Sequence, residues 1–196
     1  MKYLFILFIA LVSCKHPESE SLSRDSIRSS ISIIDSLQEN DIQRNTEENQ
    51  YKVIGIIDGD TYDILKNNTS ERIRIDGIDA PEKGMPFYKV SKKHLSNLIF
   101  SKFITIEFIE KDRYGRWVGR GFIDKLDISA EMIRAGMAWH FKKYSDSEIL
   151  SDLEIEAKNR KLGIWSNPNP LTPWEVRKLH KNGISTKERF KNKIED

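Results

Sequence analysis

From Tyr51 onward the chain is a succession of short β-branched runs separated by tight turn signals, which points to a small antiparallel sheet or barrel. The run YKVIGII ends at Asp58-Gly59-Asp60, TYDILK ends at Asn67-Asn68, and ERIRIDGI follows. Three strands in hairpin succession are expected. Within Glu71 to Asp76, strict alternation puts Arg72, Arg74 and Asp76 on one face, with Ile73 and Ile75 on the core face. Ser91 to Phe100 carries Leu95, Leu98 and Ile99 at helical spacing. FITIEFI then reads as a strand, and WVGRGFI, after a break at Asp112 to Arg116, as its antiparallel partner. A helix is expected from about Ile128 to Ala135. A longer one starts at a capping-box pattern, Ser145-Asp146-Ser147-Glu148, and runs to about Arg160 with Ile149, Leu153 and Ala157 on its apolar stripe. Five short strands, one helix after the third and more after the fifth, fit an α+β fold built on a five-stranded OB-type barrel. The charged segment after Glu175 is expected to be a frayed helix or tail.

The chain has 196 residues, of which 38% are hydrophobic and 10% aromatic, enough for one ordinary domain and some extra. Lys plus Arg number 32 against 30 for Asp plus Glu, a net charge of +2, so any site for a polyanion must be local. The single cysteine, Cys14, excludes an internal disulfide framework and a multi-cysteine zinc site.

Met1-Lys2 is a short positive segment, and Tyr3 to Val12 is an unbroken apolar run that ends at Ser13-Cys14. The run is a secretory signal, too short to span a hydrocarbon core of roughly 30 Å. Leu11-Val12-Ser13-Cys14 resembles the bacterial lipobox, whose cysteine is lipidated and becomes the mature N-terminus; an ordinary signal peptide with an incidental cysteine is the alternative. From Lys15 to Gln50 the chain is polar and has no Phe, Trp or Tyr, as suits a solvated tether, although Ile27, Ile31 and Ile34 could form a short amphipathic helix. The expected organisation is a signal peptide (1–13), a lipidated tether (14–50), an OB-fold domain (51–174) and a basic tail (175–196). It implies a lipid-anchored, monomeric protein of the cell envelope or cell surface, with the membrane leaflet open.

Three blocks carry the chemistry: Ile57-Asp58-Gly59-Asp60-Thr61, Arg74-Ile75-Asp76-Gly77-Ile78-Asp79-Ala80-Pro81-Glu82, and Asp112-Arg113-Tyr114-Gly115-Arg116. In this order, with strands between them, they resemble the motif blocks of staphylococcal-nuclease-like enzymes, the thermonucleases. The likeness runs from about Tyr51 to Trp165 and includes the segments AGMAWH and KLGIWS. It implies an OB-fold, calcium-dependent phosphodiesterase that cleaves DNA and RNA, single-stranded or frayed strands favoured, and leaves 3′-phosphates. It also implies that Asp60, Asp79 and the Ala80 carbonyl are direct Ca²⁺ ligands, with Asp58 nearby or acting through water.

The residues themselves are compatible with this. Asp58, Asp60 and Asp79 lie at strand ends and offer hard oxygen donors of the kind Ca²⁺ takes, while no His or Cys cluster serves a softer metal. Taken alone, Asp-Gly-Asp is also an ordinary turn. Arg74 and Arg116 present planar forks matched to phosphate oxygens and could neutralise a phosphorane-like transition state; as isolated residues they would be surface arginines. Glu82 is the candidate general base, or the group that orients the attacking water. Arg113, Tyr114, Lys142 and Tyr144 are candidate substrate contacts, with Lys142-Lys143 equally readable as a solvated face. Ala80 stands where the best-known member of the family has Thr, and Phe141 and Lys142 where a stacking tyrosine is expected. His140, between Trp139 and Phe141, is read as structural. A non-catalytic nucleic-acid-binding OB module is the alternative function, and a structural surface lipoprotein a more distant one.

Overall fold

The computed structural model describes residues 50–190; the expected signal peptide, Cys14 and the tether lie outside the described residues. Three strands follow one another as the turn signals require: β1 (Gln50–Ile56), β2 (Thr61–Lys66) and β3 (Thr69–Ile75). Asn67 and Asn68, both at positive φ, make the two-residue loop between β2 and β3. A short strand β4 (Ile78–Asp79) and helix α1 (Tyr88–Ile99) precede the long hairpin of β5 (Phe103–Lys111) and β6 (Trp117–Ile123). Strand β7 (Leu126–Asp127) extends the sheet beyond β6.

Strand β1 pairs with both β2 and β5, and β5 pairs with β6. The barrel closes where β3 meets β6 in parallel, Ile73 opposite Trp117 and Ile75 opposite Gly119. Five strands, β1, β2, β3, β5 and β6, therefore form a closed mixed barrel, the expected OB-like α+β fold. The alternation in β3 holds, with Ile73 and Ile75 fully buried among Val53, Tyr62, Ile64, Ile104 and Ile106.

Helix α2 (Ile128–Arg134) begins at Asp127, whose carboxylate accepts from the backbone N–H groups of Ser129 and Ala130. Strand β8 (Trp139–His140) then pairs antiparallel with β4, a two-stranded ribbon that the sequence does not announce. Helix α3 (Glu148–Asn159) is capped by Ser147, not by the expected box from Ser145, because the Ser145 hydroxyl is engaged by the His140 ring and the Ser147 N–H. Its buried face is Leu150, Glu154 and Ala157, one residue out of phase with the expected stripe at the N-terminal end, and Ile149 is exposed. The buried Glu154 explains the shift. Its Oε1 accepts from the His140 backbone N–H at 3.0 Å and its Oε2 from Lys158 Nζ at 2.8 Å, so a charged residue sits at an inward position.

The segment expected as a frayed helix or tail is an ordered helix, α4 (Pro173–Lys181), followed by the short α5 (Lys187–Phe190). Thr172 and Glu175 form a full capping box at its start. Val176 and Phe190 are buried with Met85, Trp139, Ala157, Ile164 and Trp165 in a second apolar cluster, and Trp174 stacks on Phe141 at 5.3 Å and 5°. Among the described residues no helix is long and apolar enough to cross a membrane.

Gly136, at φ +66°, is packed backbone to backbone against the turn before the 3₁₀ segment Gly163–Ser166, and its carbonyl accepts from Ile164 N–H at 2.9 Å. A Cβ there would lie 2.3 Å from the Leu162 carbonyl oxygen. Gly136→Ala is expected to destabilise the domain by at least about 2 kcal/mol, since it adds left-handed strain to a backbone clash. Urea denaturation of the variant and wild type measures the difference.

Candidate active site

Three chain segments meet around one guanidinium. The β1–β2 turn is closed by the N–H groups of Ile57 and Asp58 donating to the Thr61 carbonyl, at 2.9 and 3.3 Å, and by Asp60 N–H donating to Asp58 Oδ1 at 3.1 Å. Asp60 is thereby turned inward, where its Oδ2 accepts from Ala80 N–H at 2.6 Å and its Oδ1 from the Thr61 hydroxyl at 3.0 Å. Arg74, on the outward face of β3, donates from Nη1 to the Ile75 carbonyl and from Nη2 to the Ile78 carbonyl, each at 2.7 Å. The same guanidinium lies 3.4 Å from Asp60 Oδ1 and 3.2 Å from Asp79 Oδ1. Asp79 gets its backbone position from the β4–β8 ribbon, opposite Trp139.

The group is well shielded: the side chains of Arg74, Asp60 and Asp79 are 14%, 9% and 3% exposed. Burial, reinforced by the charge of Asp60, pushes the Asp58 carboxyl up to about 6. Burial also raises Asp79, with the Asp60 charge adding to it and arginine contacts opposing it. Burial is thus the main obstacle to charge on both carboxyls, and the nearby arginines offset part of it.

Residues 72–167 match the family model described as staphylococcal nuclease homologue. A protein named micrococcal nuclease from Shigella flexneri is 36% identical over 146 residues, covering 68% of this chain and 83% of the relative. An uncharacterized endonuclease of Escherichia coli O157:H7 is 35% identical over 124 residues, covering 63% of this chain and 81% of that protein. One from Haemophilus influenzae is 38% identical over 136 residues, with 69% and 76% covered.

The chain belongs to the staphylococcal nuclease family.

Nuclease chemistry comes with that membership, and the placement of each expected residue can be judged against it. Asp58, Asp60, Arg74, Asp79 and Ala80 are brought together as described, and Glu82 joins them through a shared partner. Arg116 does not touch the cluster. Its Nε and Nη2 lie 2.8 and 2.7 Å from Asp112 Oδ2, while Asp112 Oδ1 accepts from the Tyr114 and Arg116 backbone N–H groups. The third block is therefore a self-contained turn that sets where Arg116 leaves the loop. Arg113 and Arg116 lie against the exposed Tyr114 ring at 5.0 and 5.6 Å. Tyr144 is exposed, with its ring edge-on to Phe141 at 4.9 Å, and Lys142 is exposed beside them. No hydrogen bond or ion pair among the described residues joins Arg113, Tyr114, Lys142 or Tyr144 to the acidic cluster. His140 is structural as expected: it is buried, with Nδ1 3.1 Å from the Ser151 hydroxyl and Nε2 3.1 Å from that of Ser145.

Sequence reasoning missed Arg177. Its Nη2 donates to Asp79 Oδ2 at 2.6 Å, and its Nη1 to Glu82 Oε1 at 2.5 Å and Asp79 Oδ1 at 3.3 Å. The signal that could have found it is the Thr172-Pro173-Trp174-Glu175 capping box, which starts a helix through Arg177 where a frayed helix or tail was expected. Among the described residues no three His, Cys, Asp or Glu side chains converge into a ready metal cage.

Gly59 controls where the first block sits. A Cβ there would lie 2.0 Å from the Ser91 hydroxyl of α1 and 2.8 Å from the Ala80 Cβ. The Ser91 hydroxyl is held by donating to the Met137 carbonyl at 2.8 Å, and Ala80 by its N–H donating to Asp60. Gly59→Ala is expected to displace Asp60 from Ala80 and lower nuclease turnover at least about tenfold, a loss of the size that ångström-scale misplacement produces. Steady-state cleavage assays, with circular dichroism as a control for folding, check this.

Proposed function

We propose that this nuclease is a calcium-dependent phosphodiesterase that hydrolyses DNA and RNA to products ending in 3′-phosphates. The observation that carries the reading is Arg74 gripping Asp60 and Asp79 at once, with Ala80 against Asp60. The donor set fits calcium: Asp60, Asp79 and the Ala80 carbonyl would hold the ion, with Asp58 nearby, and all are hard oxygens. When bound, calcium would supply positive charge to a phosphoryl oxygen and make water more acidic.

The chain's own residues do the rest. Glu82, at the edge of the cluster, orients water and accepts its proton as the water oxygen bonds to phosphorus. The P–O5′ bond breaks opposite the entering oxygen, and the 5′-oxygen takes a proton from solvent water as it leaves, so the phosphate stays on the 3′ side. Arg74 and Arg116 neutralise the charge that builds on the phosphoryl oxygens. Arg116 has Nη1 available for this, since that nitrogen has no partner among the described residues. Tyr114 and Tyr144, both exposed, offer faces on which unpaired bases can stack, and Arg113 and Lys142 offer charge to the backbone.

Glu82 and Arg116 test the reading more cleanly than Arg74. Removing the buried Arg74 would strand two carboxylates and confuse catalysis with stability. Glu82→Gln and Arg116→Ala are each expected to cut turnover about 10²–10³-fold with the fold intact. Assays on single-stranded DNA and RNA, with calcium or with chelator and with end-group analysis of the products, measure this. Cleavage that persists in chelator would remove calcium from the account, and 5′-phosphate ends would reverse the bond assignment.

We also propose that Cys14 anchors the protein to a membrane of the cell envelope by lipidation. The support is the apolar run that ends at Ser13-Cys14 and the polar stretch after it. Each buried acyl CH₂ contributes about 0.8 kcal/mol, so two or three chains would hold the protein firmly. Cys14→Ser is expected to shift the protein out of the detergent-extracted membrane fraction or leave its N-terminus unprocessed, as read by fractionation and mass spectrometry.

A further inference from the structure

Two arginines serve the acidic cluster, and they are held in different ways. Arg74 is 14% exposed and is tied to the carbonyls of Ile75 and Ile78 as well as to carboxylates, so it is part of the frame. Arg177 has carboxylate partners only, Asp79 and Glu82, and its side chain is 44% exposed. Its helix is anchored independently by the Trp174–Phe141 stack, the buried Val176 and the Thr172–Glu175 capping box. The guanidinium can therefore leave for water by a side-chain rotation that disturbs neither α4 nor the barrel.

We propose that Arg177 is a displaceable counter-cation that sets the metal affinity of the active site. It forks across both oxygens of Asp79 and also takes Glu82, the proposed metal ligand and the proposed base. A divalent ion on Asp79 and a guanidinium on the same carboxylate repel each other, so occupancy by one opposes occupancy by the other. Release of Arg177 frees Glu82 in the same movement, which couples metal loading to the freedom of the group that handles water. In the metal-free enzyme the guanidinium pairs Asp79 Oδ2, the oxygen that Arg74 leaves open, and it comes from beyond the family-matched segment, which ends at residue 167. The inference rests on the calcium reading given above.

The test is calorimetric titration of the full chain with calcium chloride, without nucleic acid. Arg177→Met is expected to bind calcium about tenfold tighter than wild type. Arg177→Lys, which keeps the charge but not the fork, should fall between them. Lys178→Met removes a neighbouring charge outside the cluster and should stay within about twofold of wild type. Thermal unfolding gives a second readout: Arg177→Met should melt lower than wild type without metal and gain more in melting temperature from saturating calcium. Unchanged or weaker calcium binding in a folded Arg177→Met would overturn the proposal. If that variant does not fold, Arg177→Lys decides, and binding no tighter than wild type overturns it. Absence of calcium binding in wild type and variants alike would overturn the calcium reading and this inference together, whereas equal binding in all forms would overturn this inference alone.

Discussion

The guanidinium of Arg74 is the interaction on which the site depends, because it joins parts of the chain that no local structure would bring together. It spans the β1–β2 turn through Asp60, the end of β3 through the Ile75 carbonyl, and β4 through the Ile78 carbonyl and Asp79. Each of these partners is buried and polar, and an unpaired member would carry a desolvation penalty of about 1–3 kcal/mol, more for a charge. Closing the barrel through the parallel β3–β6 contact orients β3 so that its inward isoleucines fill the core while Arg74 faces the turns. Packing and electrostatics thus agree at a single residue.

Carboxylates held out of water are the second theme. Asp58 and Asp79 are both pushed up, chiefly by burial and then by the neighbouring Asp60 charge in the case of Asp58. Cations near such a cluster offset the cost of burial, and the chain supplies two, one embedded in backbone hydrogen bonds and one reaching in from α4. Among the described residues no three His, Cys, Asp or Glu side chains form a ready metal cage, and Asp79 is met by guanidinium groups on both oxygens.

Much of this was legible in the sequence. The turns at Asp58-Gly59-Asp60 and Asn67-Asn68, the alternation in β3 and the β5–β6 hairpin all arise from contacts between near neighbours, which leave a pattern of period two and punctuation by Asn, Asp and Gly. The first two blocks meet in the cluster, while the third stands apart from it. Legibility failed where a distant partner overrode the local pattern. The buried Glu154 turned α3 away from the stripe of Ile149 because the backbone of His140 offered it a hydrogen bond. The pairing of Ile78 with His140 could not be read because two-residue strands have too little pattern to detect.

The sequence by itself determined the strand succession, the family resemblance and the identity of the acidic and basic groups, because each is written in residues close together along the chain. The structure showed that Arg116 rests on Asp112, four residues away, and only the tertiary packing decided that Arg177 enters the site. The first outcome reflects an aspartate turn that captures its own loop's arginine. The second reflects a contact across 98 residues, set by the burial of Val176 and the stacking of Trp174 on Phe141. Charge complementarity at such separations leaves no local periodicity, so it becomes visible only once the apolar packing has fixed where α4 lies.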